Sequence, residues 1–239
     1  MTTRSSMKID SPHMLNSAAR RFAVGLALVT LACGIAPLAN AKTFDLQTAS
    51  IQDIQAAVAS GKLSYEKLVK LYLARIDAYD KQGPKLNSVI TLNSKAIETA
   101  RALDTERKAK GLRSPLMGIP VLAKDNYNTA DMPTSGGNFS LANSVPYEDA
   151  PTIKQLRDAG AIIIAKTNMD EFAHGGIGYS SRLGQTHNPH DPRRHPAGSS
   201  GGTGAGLAAW VRTTWLRLRY WRIDSWSIIS EWYRRHQTD

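Results

Sequence analysis

Residues 158–173 read DAGAIIIAKTNMDEFA, and this stretch decides the fold. Ala161 to Lys166 is apolar up to its last residue, as expected of a strand buried on both faces of a parallel sheet. A shorter run with the same ending, Ile119 to Lys124 (IPVLAK), lies upstream. Between the two, Pro151 suits a helix start, Ile153, Leu156 and Ala159 share a face, and Gly160 supplies a stop. Strand, helix and strand in that order place the chain in the α/β class.

Working outward toward the N-terminus, Asn93 to Lys110 reads as a charged amphipathic helix closed by Gly111, and Leu86 to Leu92 as a strand. Ser50 can cap a helix carrying Ile51, Ile54, Ala57 and Val58 on one face, with Gly61 after it. A second helix is expected from Ser64, with Leu68, Leu71, Tyr72, Ile76 and Tyr79 at helical spacing. These are packing elements. Asp125 to Asp149 is a long polar loop containing Thr134-Ser135-Gly136-Gly137, and loops of that length inside a domain are often functional. Gly175 to Gly206 is dense in Gly, Ser, His and Pro and contains Gly198-Ser199-Ser200-Gly201-Gly202, followed by AGLAA, the expected start of a buried helix.

Lys124 ends an apolar strand, where α/β folds commonly hold ligands and catalysts. Burial would disfavour its ammonium form and leave an amine able to act as a base; a solvated strand-end lysine is the plainer reading. The Gly198–Gly202 segment admits several readings. A flexible linker rarely runs straight into an apolar helix. A phosphate cradle would lack the P-loop lysine. The third reading is a serine held in a tight turn near Lys124 for Ser–Lys acyl chemistry. His174, His187, His190 and His195 are spaced by 13, 3 and 5 residues, which matches no helical ligand pair, so no metal is expected.

Taken together, GIPVLAKDN (118–126), Thr134 to Gly137, residues 158–173, Asn188-Pro189 and the GSSGG segment (198–202) resemble the amidase signature family in order and spacing, over roughly residues 45–210. The resemblance implies a mixed sheet flanked by helices, of which only the N-terminal part is present. It also implies a Ser–Ser–Lys triad that hydrolyses carboxylic amides. Lys124 takes the position of the base, and Ser199 that of the bridging serine on a cis peptide. Ser200, with Gly201 and Gly202, supports that turn and the substrate beside it. No organic or metal cofactor is needed, and the partner is a small-molecule or peptide amide. The family's nucleophile lies about two dozen residues past the bridging serine in a Gly-Gly-Ser turn, a spacing that comes from the resemblance alone. Here that place holds Arg222-Ile223-Asp224, so the chain is expected to be inactive as it stands.

The tail offers a reason. All five tryptophans (Trp210, Trp215, Trp221, Trp226 and Trp232) fall in the last 30 residues, which hold no Gly, Pro or Lys. Trp has one codon, TGG, which read one base later always gives glycine. Arg219 to Asp239 read that way permits GTGGSILGPSSANGIVGIRPT, with the serine of GGS across the Ile223–Asp224 codons. Residues 211–239 are therefore expected to be an out-of-frame tail on a truncated amidase.

Composition sets the remaining bounds. The chain has 239 residues, 42% apolar and 21% charged, ordinary for a globular protein. A single cysteine, Cys33, excludes a disulfide framework. Of the net charge of +10, residues 1–41 and 211–239 carry +3 each, leaving +4 between them, which argues against nucleic-acid binding. Arg20-Arg21, the apolar run Phe22 to Ala32 and the Ala39-Asn40-Ala41 site read as a secretory signal (residues 1–41), too short for a stable membrane anchor. The expected location is periplasmic or secreted. A non-catalytic secreted binding protein using the GSSGG loop is the alternative from a different class.

Overall fold

The computed structural model describes residues 44–46 and 48–210. The expected signal segment and the Trp/Arg tail lie outside the described residues, as does Cys33. Helix α1 (Ile51–Ala59) begins where Ser50 and Asp53 cap each other: Ser50 Oγ accepts from the Asp53 amide, and the Asp53 carboxylate accepts from the Ser50 amide. Helix α2 (Tyr65–Ile76) is capped by Ser64 and runs on into one wider turn over Asp77–Lys81. Leu68, Tyr72 and Ile76 are buried as the spacing requires, whereas Leu71 and Tyr79 are exposed. Five apolar positions make a stripe broader than the face the helix buries.

Strand β1 (Val89–Leu92) and helix α3 (Ala96–Lys110) follow, then β2 (Pro120–Lys124), α4 (Pro151–Asp158) and β3 (Ile162–Thr167). The expected strand-helix-strand unit is present. Its two strands pair in parallel, and β1 adds antiparallel on the far side of β3, giving a mixed sheet in the order β1-β3-β2. The wholly apolar run fits this middle place, with every residue of β3 buried.

Both faces of the sheet are covered. Ile162 and Ile164 pack with Ile54, Leu68, Tyr72, Ile76 and Leu103 of the first three helices. Ile163 points the other way and packs with Ala123, Met132 and Ile153. Alternation along β3 is interrupted by a register shift in which Val121 pairs with Ile163 but Leu122 with Ala165; a second shift lies in β1, between Val89 and Thr91. An inserted residue turns every later side chain to the opposite face. Ala165 accordingly joins Ile164 in the larger core, and Lys166 comes out on the Met132 side.

The structure also has the short hairpin β4 (Tyr179–Ser180) and β5 (Gly184–Gln185), single 3-10 turns at Phe139–Leu141 and Glu171–Ala173, and helix α5 (Gly201–Trp210), which packs on β2 and β3. The sequence places this helix at AGLAA; it starts earlier, at Gly201, inside the glycine-rich segment. Close packing overrides low helix propensity here: a Cβ on Gly202 would stand 2.5 Å from the Asn168 backbone and the Ser88 carbonyl. No described helix is long and apolar enough to cross a membrane.

Candidate active site

The site is built where β2 and β3 end. Lys124 is the last residue of β2, only 5% exposed, and pairs in register with Thr167 of β3. Its side chain leaves the sheet on the α5 face, where Nζ donates to Ser199 Oγ at 2.8 Å. On the same face the Thr167 and Thr203 hydroxyls are 2.6 Å apart, joining the end of β3 to the first turn of α5. Two of the residues singled out from sequence are thus in direct contact across 75 positions of chain.

Ser199 sits just ahead of α5 on a cis peptide with Gly198. Its carbonyl accepts from the Asp170 amide at 3.1 Å. The Asp170 side chain, 3% exposed, accepts from the Gly178 amide at 2.9 Å and the Ile177 amide at 3.3 Å. Asp170 therefore holds the 177–179 segment through its carboxylate and the serine turn through its amide. Gly198 is required: a Cβ there would collide with the Asp170 carboxylate and meet Gly178 N at 3.0 Å. Gly202 N donates to the Asn168 carbonyl at 3.0 Å, and Gly201 and Gly202 are buried against neighbouring backbone. Ser200 stands at the helix entry, its carbonyl accepting from Gly204 N at 3.0 Å.

On the opposite face the next residue, Asp125, is 1% exposed. Its carboxylate accepts from the Ser135 hydroxyl and from the Ser135 and Gly137 amides, both at 3.1 Å. Lys166 Nζ lies 3.4 Å from the other oxygen and donates to Thr134 Oγ1 at 2.6 Å and the Pro133 carbonyl at 3.2 Å. Burial pushes the Lys166 amine down to about 8, against the opposing pull of Asp125 and Asp131. The Thr134–Gly137 turn held this way forms part of a cavity of about 330 Å³, with Asn126, Leu141 and Phe172 on its other sides.

Asp125, Lys166 and Asp170 were not singled out from the sequence. The matching lysine endings of IPVLAK and AIIIAK were a signal for Lys166. Nothing local pointed to Asp170, whose role depends on amides 7 to 9 residues away. The histidines are dispersed: His187 Nδ1 is 2.8 Å from the Pro192 carbonyl, and His195 Nδ1 accepts from the Ala197 amide. Among the described residues no group of three or more His, Cys, Asp or Glu is placed to hold a metal ion.

Comparison with known proteins defines the class to which this fold belongs. The Amidase family model matches residues 67–213, and the chain belongs to that family. It is 42% identical over 165 residues to a glutamyl-tRNA(Gln) amidotransferase subunit of Thermobifida fusca, covering 69% of this chain and 33% of that one. Among solved structures, native peptide amidase from Stenotrophomonas maltophilia superposes with a TM-score of 0.65 at 43% identity, over 72% of this chain and 35% of its own. An amidase family protein from Bacillus anthracis gives 0.67 at 38% identity, over 72% and 37%. The chain spans about one third of the length of the curated relatives it matches.

Proposed function

We propose that this chain carries the lysine–serine half of a hydrolase that cleaves the C–N bond of a carboxylic amide. The observation that supports this most directly is the 2.8 Å contact from the buried Lys124 Nζ to the half-buried Ser199 Oγ. In that geometry a neutral Lys124 accepts the Ser199 proton while Ser199 accepts one from a second serine, which attacks the amide carbon. The lysine then returns the proton to the leaving amine, and water hydrolyses the acyl-enzyme. Backbone amides beside the nucleophile hold the oxyanion. The substrate is a small-molecule or peptide amide, a reading supported by the likeness to a peptide amidase.

The nucleophile belongs to the frame-corrected sequence. Two facts support this: the family match stops at residue 213, and the tryptophan-rich composition begins at Trp210. The 239-residue chain is then inactive, and the longer protein is the enzyme. Export with cleavage after Ala41 completes the proposal, on the strength of the Arg20–Ala41 pattern.

Sequencing the gene from codon 200 onward tests the frame. An open reading frame encoding Gly-Gly-Ser one base later is expected; its absence removes the nucleophile and the reading with it. The corrected protein should hydrolyse amides, and a secreted product should begin at Lys42.

A further inference from the structure

The register shift in β2–β3 places a second lysine behind the first. Strict alternation along β3 would send Lys166 to the same side as Ile162 and Ile164, among the helices. The inserted residue sends it instead to the face that carries Asp125. Lys124 and Asp125 are neighbours in the chain, so their side chains leave opposite faces of the sheet end. An unpaired carboxylate one residue away along the chain, buried from water, would favour the ammonium form of Lys124. Lys124 can take a proton from Ser199 only as the free amine.

We propose that Lys166 and Asp125 form a positioning pair: Lys166 balances the Asp125 charge, so that the carboxylate can fold the Thr134–Gly137 turn without holding Lys124 protonated. The carboxylate is needed for the turn because it accepts from two amides and a hydroxyl there, and the Asp125 carbonyl accepts from Gly136 N at 3.1 Å. The cation is needed because the site excludes water: Lys166 is 0% exposed and Asp125 1%. Facing Lys166 are Asp125 from the end of β2, the Thr129 and Thr134 hydroxyls from the loop, and Asp131. Asp131 is itself paired with Arg157 of α4 at 2.6 Å. Lys124 faces Ser199, on the side where Thr167 and Thr203 pair. Burial lowers the proton affinity of Lys166, and the Asp125 carboxylate is the foremost group opposing that loss.

The inference rests on Lys124 being the proton acceptor, yet its test needs no turnover. The full chain is labelled with 13C at the lysine ε-carbons, the Lys124 signal is assigned by its loss in Lys124→Met, and its titration is followed without substrate. Removing the cation with Lys166→Met should raise the Lys124 midpoint, cutting the neutral fraction at neutral pH about threefold or more. Removing the anion with Asp125→Asn should lower the midpoint, and the double variant should return it close to the wild-type value. Opposite signs with mutual rescue are what a purely structural role would not produce. Shifts in the same direction, or none, overturn the proposal.

If Lys166→Met does not fold, Asp125→Asn decides alone: a lowered midpoint supports the pair, and an unchanged or raised one overturns it. If neither folds, the wild type decides: a Lys124 signal that registers two macroscopic steps supports coupling to the second amine, and a single independent step overturns it. A frame-corrected enzyme that fails to hydrolyse amides would sink the functional reading and leave this titration standing.

Discussion

Lys124 Nζ donates to Ser199 Oγ at 2.8 Å, and neither residue could reach the other without the helix entry at Gly201 closing onto the ends of β2 and β3. In the frame-corrected enzyme, Lys124→Ala and Ser199→Ala should each lower kcat/KM for amide hydrolysis about 10²- to 10⁴-fold, the usual scale of positioned proton transfer. Turnover near the parent value in either variant would take that residue out of the relay.

Gly198→Ala is expected to destabilise the described domain by about 1–3 kcal/mol, the ordinary cost of overpacking. The added methyl would run into the Asp170 carboxylate, with the Gly176 and Gly178 backbone closing the other sides at 3.0 Å. Denaturant melts would show it, and an unchanged midpoint would mean that the turn gives way freely.

Ile163→Ala should cost about 2–5 kcal/mol, because Ile163 is 0% exposed and is the residue of β3 that fills the smaller core with Ala123, Met132 and Ile153. The same substitution at the exposed Leu112 should change stability by no more than about 0.5 kcal/mol. Comparable losses at both positions would contradict this division into core and surface.

Stability should rise with pH across the window that Lys166 sets. Its amine lies near 8 in the folded chain against 10.5 unfolded, so between those values the unfolded chain binds more protons. Excess proton binding by the unfolded state makes unfolding less favourable as pH increases. The gain attributable to Lys166 is on the order of 3 kcal/mol, reached by about pH 10.5. Urea melts of wild type and Lys166→Met from pH 7 to 10.5 should diverge in slope by up to one proton, and parallel curves would refute the assignment.

Much of this fold could be read in advance, for identifiable reasons. AIIIAK is apolar at every interior position because β3 is paired on both edges and covered on both faces. Ser50 announces α1 because capping is a local interaction. Pro151 and Gly160 bracket α4 for the same kind of reason. Of the candidate site, Lys124 and Ser199 stood out through their motifs, and the structure shows them in contact. The register shift was not legible: an inserted residue in a run of isoleucines leaves no trace in the pattern, so the side to which Lys166 points could not be read. Nor was the start of α5, where three glycines in the first four residues argue against a helix until Asn168 and Ser88 are seen pressed against Gly202.

The distance along the chain between amine and hydroxyl has a consequence for biogenesis. A ribosome adds residues in order, so β2 emerges with its terminal lysine 75 residues before the serine that receives it. Closing a loop of that length costs chain entropy that only the docking of α5 returns. The sheet can therefore assemble first, and the contact between Lys124 and Ser199 forms as a late event of maturation. A nascent chain paused before residue 199 would hold a folded platform whose lysine has yet to meet this serine.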